Sequence, residues 1–164
     1  MGNRVGNRAI RIDLADQRLD LCQDDEVVKS YPVSTAKNGA GEREGSECTP
    51  RGAHVIEAKI GAGAAPGAVF VGRSETGETC TPELFAASPE RDWILTRILW
   101  LGGLEPGRNQ GGEVDTRGRY IYIHGCPDEL PLGTPGSHGC VRMRNADVIE
   151  LFEQADVGTR VEID

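Results

Sequence analysis

The chain contains no run of 18 apolar residues, so the sequence offers no segment able to span a membrane. It is poor in positive charge: 18 Lys and Arg stand against 26 Asp and Glu, a net charge of −8. That balance argues against nucleic acid or an anionic membrane as the main partner. The amino-terminal MGNRVGNRAIRIDLADQ has no apolar stretch before Asp13, so it does not read as a secretory leader. Gly6 stands where an acylation signal needs Ser or Thr. The cysteines do not make an even set: there are five, at 22, 48, 80, 126 and 140, and no disulfide framework is implied. These absences place the protein in the cytoplasm, with the periplasm as the alternative if a leader has been removed. No internal repeat, low-complexity tract or linker divides the chain, and 164 residues suit one domain over 1–164.

What is abundant is glycine, 22 residues, with nine prolines. That composition favours turns and short strands. RAIRIDL, residues 8–14, places Ile10, Ile12 and Leu14 on one face at period two, and RLDLC repeats the pattern with Leu19 and Leu21. EVVKSYPVST follows as a third extended segment, so the start reads as a meander. Residues 36–52 form a polar glycine-rich loop, AHVIEAKI returns to strand, and AVFVGR is a short strand. WILTRILWL, residues 93–101, reads as a buried strand, with a short helix as the alternative. GGLEPGRNQGGEVDTRG, residues 102–118, is a loop long enough to shape a pocket. RYIYIHG has the β-branched and aromatic content of a strand. One convincing helix follows, NADVIELFEQAD, with Asn145 as N-cap and an apolar stripe of Val148, Ile149, Leu151, Phe152 and Ala155. TRVEI then closes as an edge strand. The fold class is mainly β, a closed or sandwiched sheet with one helix and long glycine-rich loops.

Two of the three histidines fall close to two cysteines, as His124-x-Cys126 and His138-x-Cys140. Three readings share these residues. In the first, Cys140 is a nucleophile near a helix start, its thiolate favoured by Arg142, with His124 at a strand end taking the thiol proton. Gly139 then gives a tight turn, the N–H groups of Gly139 and Cys140 hold an oxyanion, and Arg142 takes a substrate carboxylate. In the second, the four residues hold zinc, although paired zinc ligands normally sit two to four residues apart on a turn rather than as H-x-C on a strand. In the third, they are small residues that pack. His54, Cys22, Cys48 and Cys80 read as structural. Tyr120 and Tyr122 alternate with Ile121 and Ile123, so one pair faces the core and the other the site.

The segment Ser137-His138-Gly139-Cys140-Val141-Arg142-Met143, preceded by His124, resembles the signature of the L,D-transpeptidase family, the YkuD domain. Thr49-Pro50-Arg51-Gly52 is similar to that family's TPxG segment, and the likeness continues through RYIYIHG to the closing GTRVEI. The resemblance implies a YkuD-like β-sandwich, a cysteine nucleophile and no cofactor or metal. It implies action on peptidoglycan-derived muropeptides, at the bond between the L-centre of the third stem residue, often meso-diaminopimelate, and D-alanine. On that basis Cys140 is the nucleophile, His124 the base and the Gly125 carbonyl its orienter. Ser137, His138, Gly139 and Arg142 line the substrate side. Cys126 is a spectator, or a disulfide partner for Cys140 under oxidation. Carbapenems acylate many family members, so covalent inhibition at Cys140 belongs with these expectations. The missing leader and missing second module make water the expected acceptor, an L,D-carboxypeptidase of murein recycling. The alternatives are a cross-linking or exchanging L,D-transpeptidase and a non-catalytic muropeptide-binding module.

Overall fold

The computed structural model describes residues 7–164. Residues 1–6, which carry part of the leader and acylation readings, lie outside the described residues. The expected meander is present: β1 (Arg8–Asp13), β2 (Arg18–Gln23) and β3 (Glu26–Pro32) pair antiparallel in order. Period two decides which face is buried. Ile10, Ile12, Leu19 and Leu21 point into one core together with Tyr31.

The remaining strands are β4 (Gly52–Ile60), β5 (Ala68–Val71), β6 (Ser74–Thr79), β7 (Ile94–Gly103), β8 (Tyr122–Gly125), β9 (Val141–Met143) and β10 (Arg160–Ile163). They join one ten-stranded mixed sheet, in which β1–β10 and β8–β9 are the parallel pairs. The path runs β3-β2-β1-β10-β4-β7, and β7 then pairs with both β5 and β8. Just beyond β3, Ser34 and Arg142 exchange both backbone hydrogen bonds, at 3.0 and 2.9 Å. The extension of β3 therefore lies beside β9, and the strand order returns on itself around the main core. The expected mainly β architecture holds.

Several details differ from the sequence reading. β10 is not an edge strand: it lies between β1 and β4, because β1 accepts a parallel partner from the far end of the chain. The helix α2 (Asn145–Gln154) is capped by Arg144, with no side-chain cap bond. Asn145 instead turns inward, and its Oδ1 accepts from Thr96 Oγ1 at 2.6 Å. The reading has no counterpart for β6, for β9 or for a first helix, α1 (Pro82–Ala87). The signals for α1 were present. Thr81 accepts from the Leu84 N–H as N-cap, and Pro82 occupies the first turn.

α2 buries Val148, Leu151 and Phe152 against the sheet, each contributing roughly 1.5–3 kcal/mol on area grounds. It has no basic residue in its last turn. The sheet supplies that charge: Lys59 Nζ donates to the Phe152 carbonyl at 2.5 Å. The loop expected to shape a pocket, 102–118, is wired to β4, and only Gly118 of it reaches a hollow beside the site. Buried Asn109 donates to the Arg51 and Ala53 carbonyls, each at 3.0 Å, and buried His54 meets Thr116 Oγ1 at 2.9 Å.

Candidate active site

His124 is set by a defect in its neighbouring strand. On β7, Leu95 opposes Gly125 and Ile98 opposes His124, so Thr96 and Arg97 bulge out of register. Thr96 has φ 77°, an unfavourable conformation for a β-branched residue. Its hydroxyl holds the bulge in place, accepting from the Gly67 N–H at 2.9 Å and donating to Asn145. A Cβ on Gly125 would meet the Leu95 carbonyl at 2.7 Å and would also run into Asn145. Only glycine fits beside the bulge. His124 Nδ1 lies 2.6 Å from the Gly125 carbonyl. A carbonyl can only accept, so Nδ1 carries the proton and Nε2 is left as a base.

The segment before Cys140 is a turn tied from inside. Ser137 Oγ donates to the Cys140 carbonyl at 2.5 Å and accepts the Gly139 N–H at 3.2 Å. Thr49 Oγ1, wholly buried, donates to the Gly139 carbonyl at 2.9 Å and accepts the Ala36 N–H at 3.0 Å. Gly139 has φ 133°, which explains the glycine. Cys140 Sγ accepts the Tyr122 N–H at 3.3 Å and donates to the Tyr120 carbonyl at 3.4 Å. Cys140 does not lie at a helix start: β9 comes between it and α2. Desolvation pushes the thiol up to about 12, against the lowering pull of the Tyr122 N–H, Arg142 and Arg119. The expectation of a thiolate favoured at rest is thus corrected. Desolvation also lowers the His124 imidazole, partly offset by its bond to Gly125. At neutral pH the pair is a thiol and a neutral imidazole, which face one cavity without a direct hydrogen bond.

That cavity holds about 290 Å³, and its wall includes His124, Ser137, His138, Cys140 and Arg142. Arg142 is anchored by donating to the Gly136 carbonyl at 3.1 Å. The rest of the wall comes from Arg73, Asp92, Arg119, Tyr120 and Tyr122, among others, and none from the loop 102–118. A second hollow of about 380 Å³ shares Arg119, Tyr120, Ile121 and His138 with it and is rimmed by Glu44 and Glu47. His138 is exposed, while Cys126 is buried and absent from the cavity wall, so the four His and Cys residues are not brought to one point. Among the described residues no group of three or more His, Cys, Asp or Glu is placed to hold a metal.

Residues 7–163 match the family model for the L,D-transpeptidase catalytic domain, YkuD. The chain belongs to the YkuD family.

Curated relatives of this YkuD domain align over short stretches. The probable L,D-transpeptidase YbiS of Escherichia coli is 51% identical over 45 residues, 27% of this chain and 15% of YbiS. The putative L,D-transpeptidase YqjB of Bacillus subtilis is 48% identical over 46 residues, 28% of this chain and 26% of YqjB. Solved structures share the fold along nearly the whole chain. The L,D-transpeptidase of Xylanimonas cellulosilytica superimposes with a TM-score of 0.55 at 22% identity, covering 97% of this chain and 61% of that one. The L,D-transpeptidase LdtMt1 in complex with imipenem superimposes with a TM-score of 0.57 at 17% identity, covering 96% and 58%.

The YkuD domain thus places six of the residues singled out from the sequence around one cavity or its turn: His124, Ser137, His138, Gly139, Cys140 and Arg142. Gly125 sits behind His124 as expected. Tyr122 at the start of β8 and Tyr120, outside the strand at φ 58°, both line the cavity, as does Ile121, while Ile123 lies in the core. Sequence reasoning missed Arg73, Asp92 and Arg119. They come from segments remote in sequence from the motif, and no spacing signal marks Arg73 or Asp92. Arg119 was within reach, since it directly precedes the aromatic strand.

Proposed function

We propose that this domain is a cysteine acyl-transfer enzyme acting on tetrapeptide stems of peptidoglycan, cleaving between the L-centre of the third residue and the terminal D-alanine. The observation that carries the reading is the shared cavity, in which the Cys140 thiol faces an imidazole whose Nδ1 is fixed by Gly125. Cys140 Sγ attacks the carbonyl carbon while His124 Nε2 takes the thiol proton. The tetrahedral oxyanion is met by the Cys140 N–H, because the Gly139 N–H is engaged by Ser137. His124 returns the proton to the leaving nitrogen, D-alanine departs and a thioester remains on Cys140. Arg142 holds the carboxylate of the leaving residue. Water, deprotonated by His124, opens the thioester and restores the thiol, which makes the enzyme an L,D-carboxypeptidase. The modest cavity supports this, since it has room for the end of one stem.

The second hollow favours another acceptor. Glu44 and Glu47 would draw an ammonium group into the hollow that adjoins the Cys140 cavity through Arg119, Tyr120, Ile121 and His138, and an amine in place of water gives an L,D-transpeptidase.

Mass spectrometry of a free tetrapeptide with enzyme, with and without a D-amino acid, separates these outcomes. Loss of alanine regardless of the amine means carboxypeptidase. Exchange or dimer formation means transpeptidase. No product with wild-type protein would sink the enzymatic reading. A Cys140→Ser variant should lose nearly all activity, because a hydroxyl is a far weaker nucleophile than a thiol. Imipenem should add its mass to Cys140 in the wild type, as mapped on the digested peptide.

A further inference from the structure

Arg73 occupies a turn position that seldom takes an arginine. It sits with Gly72 in the two-residue turn between β5 and β6, at φ 67° after φ 56°. Both values are left-handed, as in the hairpin turns that favour Asn-Gly or Gly-Gly. An arginine there is out of keeping with the turn, and such outliers concentrate where function requires them.

The side chain reaches back over the cavity. Its guanidinium lies 5.0 Å from the ring centroids of both Trp100 and Tyr120, and Nη1 donates to Tyr122 Oη at 3.1 Å. Trp100 and Tyr122 are themselves packed edge to face at 5.8 Å, so the cation sits in a rigid aromatic frame. The same Tyr122 donates its backbone N–H to Cys140 Sγ. One tyrosine side chain therefore separates the guanidinium from the thiol. Seven other arginines of this acidic chain make ion pairs. Among the described residues Arg73 makes none, nor do Arg119 and Arg142, and the cavity wall carries Asp92 as its one carboxylate against these three. A fixed, unpaired planar cation on a cavity wall is a site for a carboxylate.

We propose that Arg73 is a specificity-determining residue that binds a free carboxylate at the end of the acyl-donor residue's side chain. This rests on the reading of Cys140 as the acyl-transfer nucleophile. Arg142 pairs with His124 across β8 and β9 and lies two residues from Cys140, which suits the leaving residue's carboxylate. Arg73, linked to Cys140 only through Tyr122, suits the donor's own side chain. The preferred third residue is then a diamino acid with a free carboxylate, over its amide or lysine.

The test compares kcat/KM on tetrapeptides with meso-diaminopimelate, its side-chain amide or lysine at position three. Wild type should favour the free carboxylate at least tenfold. Arg73→Asn, which suits the left-handed turn and keeps the fold, should lose at least tenfold on that peptide and less than twofold on lysine. Arg73→Lys should recover part of the loss. Equal losses on all three peptides, or none, would overturn the assignment. A second readout does not depend on turnover: the ratio of Cys140 alkylation rates with iodoacetate and iodoacetamide, mapped by peptide mass. Arg73→Asn should lower that ratio severalfold, and an unchanged ratio overturns the anion site. If wild type cleaves none of the peptides, the proposed reaction fails while the alkylation ratio still decides the role of Arg73.

Discussion

Thr49 Oγ1 donates to the carbonyl of Gly139, 90 residues further along the chain, at 2.9 Å. The TPRG segment is thereby bolted to the turn that presents the thiol. Thr49→Val keeps the shape and removes the hydroxyl, leaving the Ala36 N–H and the Gly139 carbonyl without their partner. Two buried groups left unsatisfied, at about 1–3 kcal/mol each, cost on the order of 2–6 kcal/mol. Urea unfolding should show that loss, and kcat should fall more than KM rises, because the turn rather than substrate binding is loosened. Full activity at unchanged stability would show that the bond has no structural role.

Gly125→Ala tests the crowding behind His124. The new methyl would press on the Leu95 carbonyl and on Asn145. Overpacking of this kind costs roughly 1–3 kcal/mol. Circular dichroism melts should show the loss, and activity should fall because the carbonyl that holds Nδ1 must move.

The pH profile of kcat/KM follows from the direction of two shifts. The His124 imidazole is lowered by burial, so it stays a neutral base below the ordinary range, and the acid limb should lie below pH 6.5. The Cys140 thiol is pushed up to about 12, so no gain from spontaneous thiolate formation is expected between pH 7 and 9. Alkylation of Cys140 by iodoacetamide should keep rising past pH 10 instead of levelling off. A plateau near pH 8 would falsify this account of the thiol.

Stability should carry a separate signature from His54. Burial lowers it from 6.5 to about 4, so the unfolded state binds the proton more readily. The neutral form is favoured in the fold, and stability falls as pH drops from 6.5 toward 4. At ~1.4 kcal/mol per pKa unit the full loss is on the order of 3 kcal/mol. Urea titrations at pH 7 and 4.5 would measure it. Glu42 acts lower down: its bond to Arg51 lowers its pKa, so its contribution is lost as pH falls through that lowered value, below 4.5.

Legibility followed locality. Ile10 with Ile12, and Leu19 with Leu21, revealed their strands because period two is written in adjacent residues. The motif revealed Cys140 and His124 for the same reason. The helix was legible as a stripe, but its cap was not: Asn145 is a good capping type whose side chain was claimed by Thr96. The bulge at Thr96 and the aromatic frame around Arg73 depend on strands brought together from remote segments. TRVEI looked like an edge because short terminal strands often are, and only the partner β1 makes it interior.

The position of β10 has a consequence for the order of assembly. Until residues 160–163 leave the ribosome, β1 and β4 each lack a neighbour, and both present bare backbone to other chains. The sheet is completed only once residues 160–163 are made, and the Cys140 turn is not pressed against a finished core before β10 slides between β1 and β4. Nascent chains stalled before residue 160 should therefore be the species that chaperones hold and that aggregates collect.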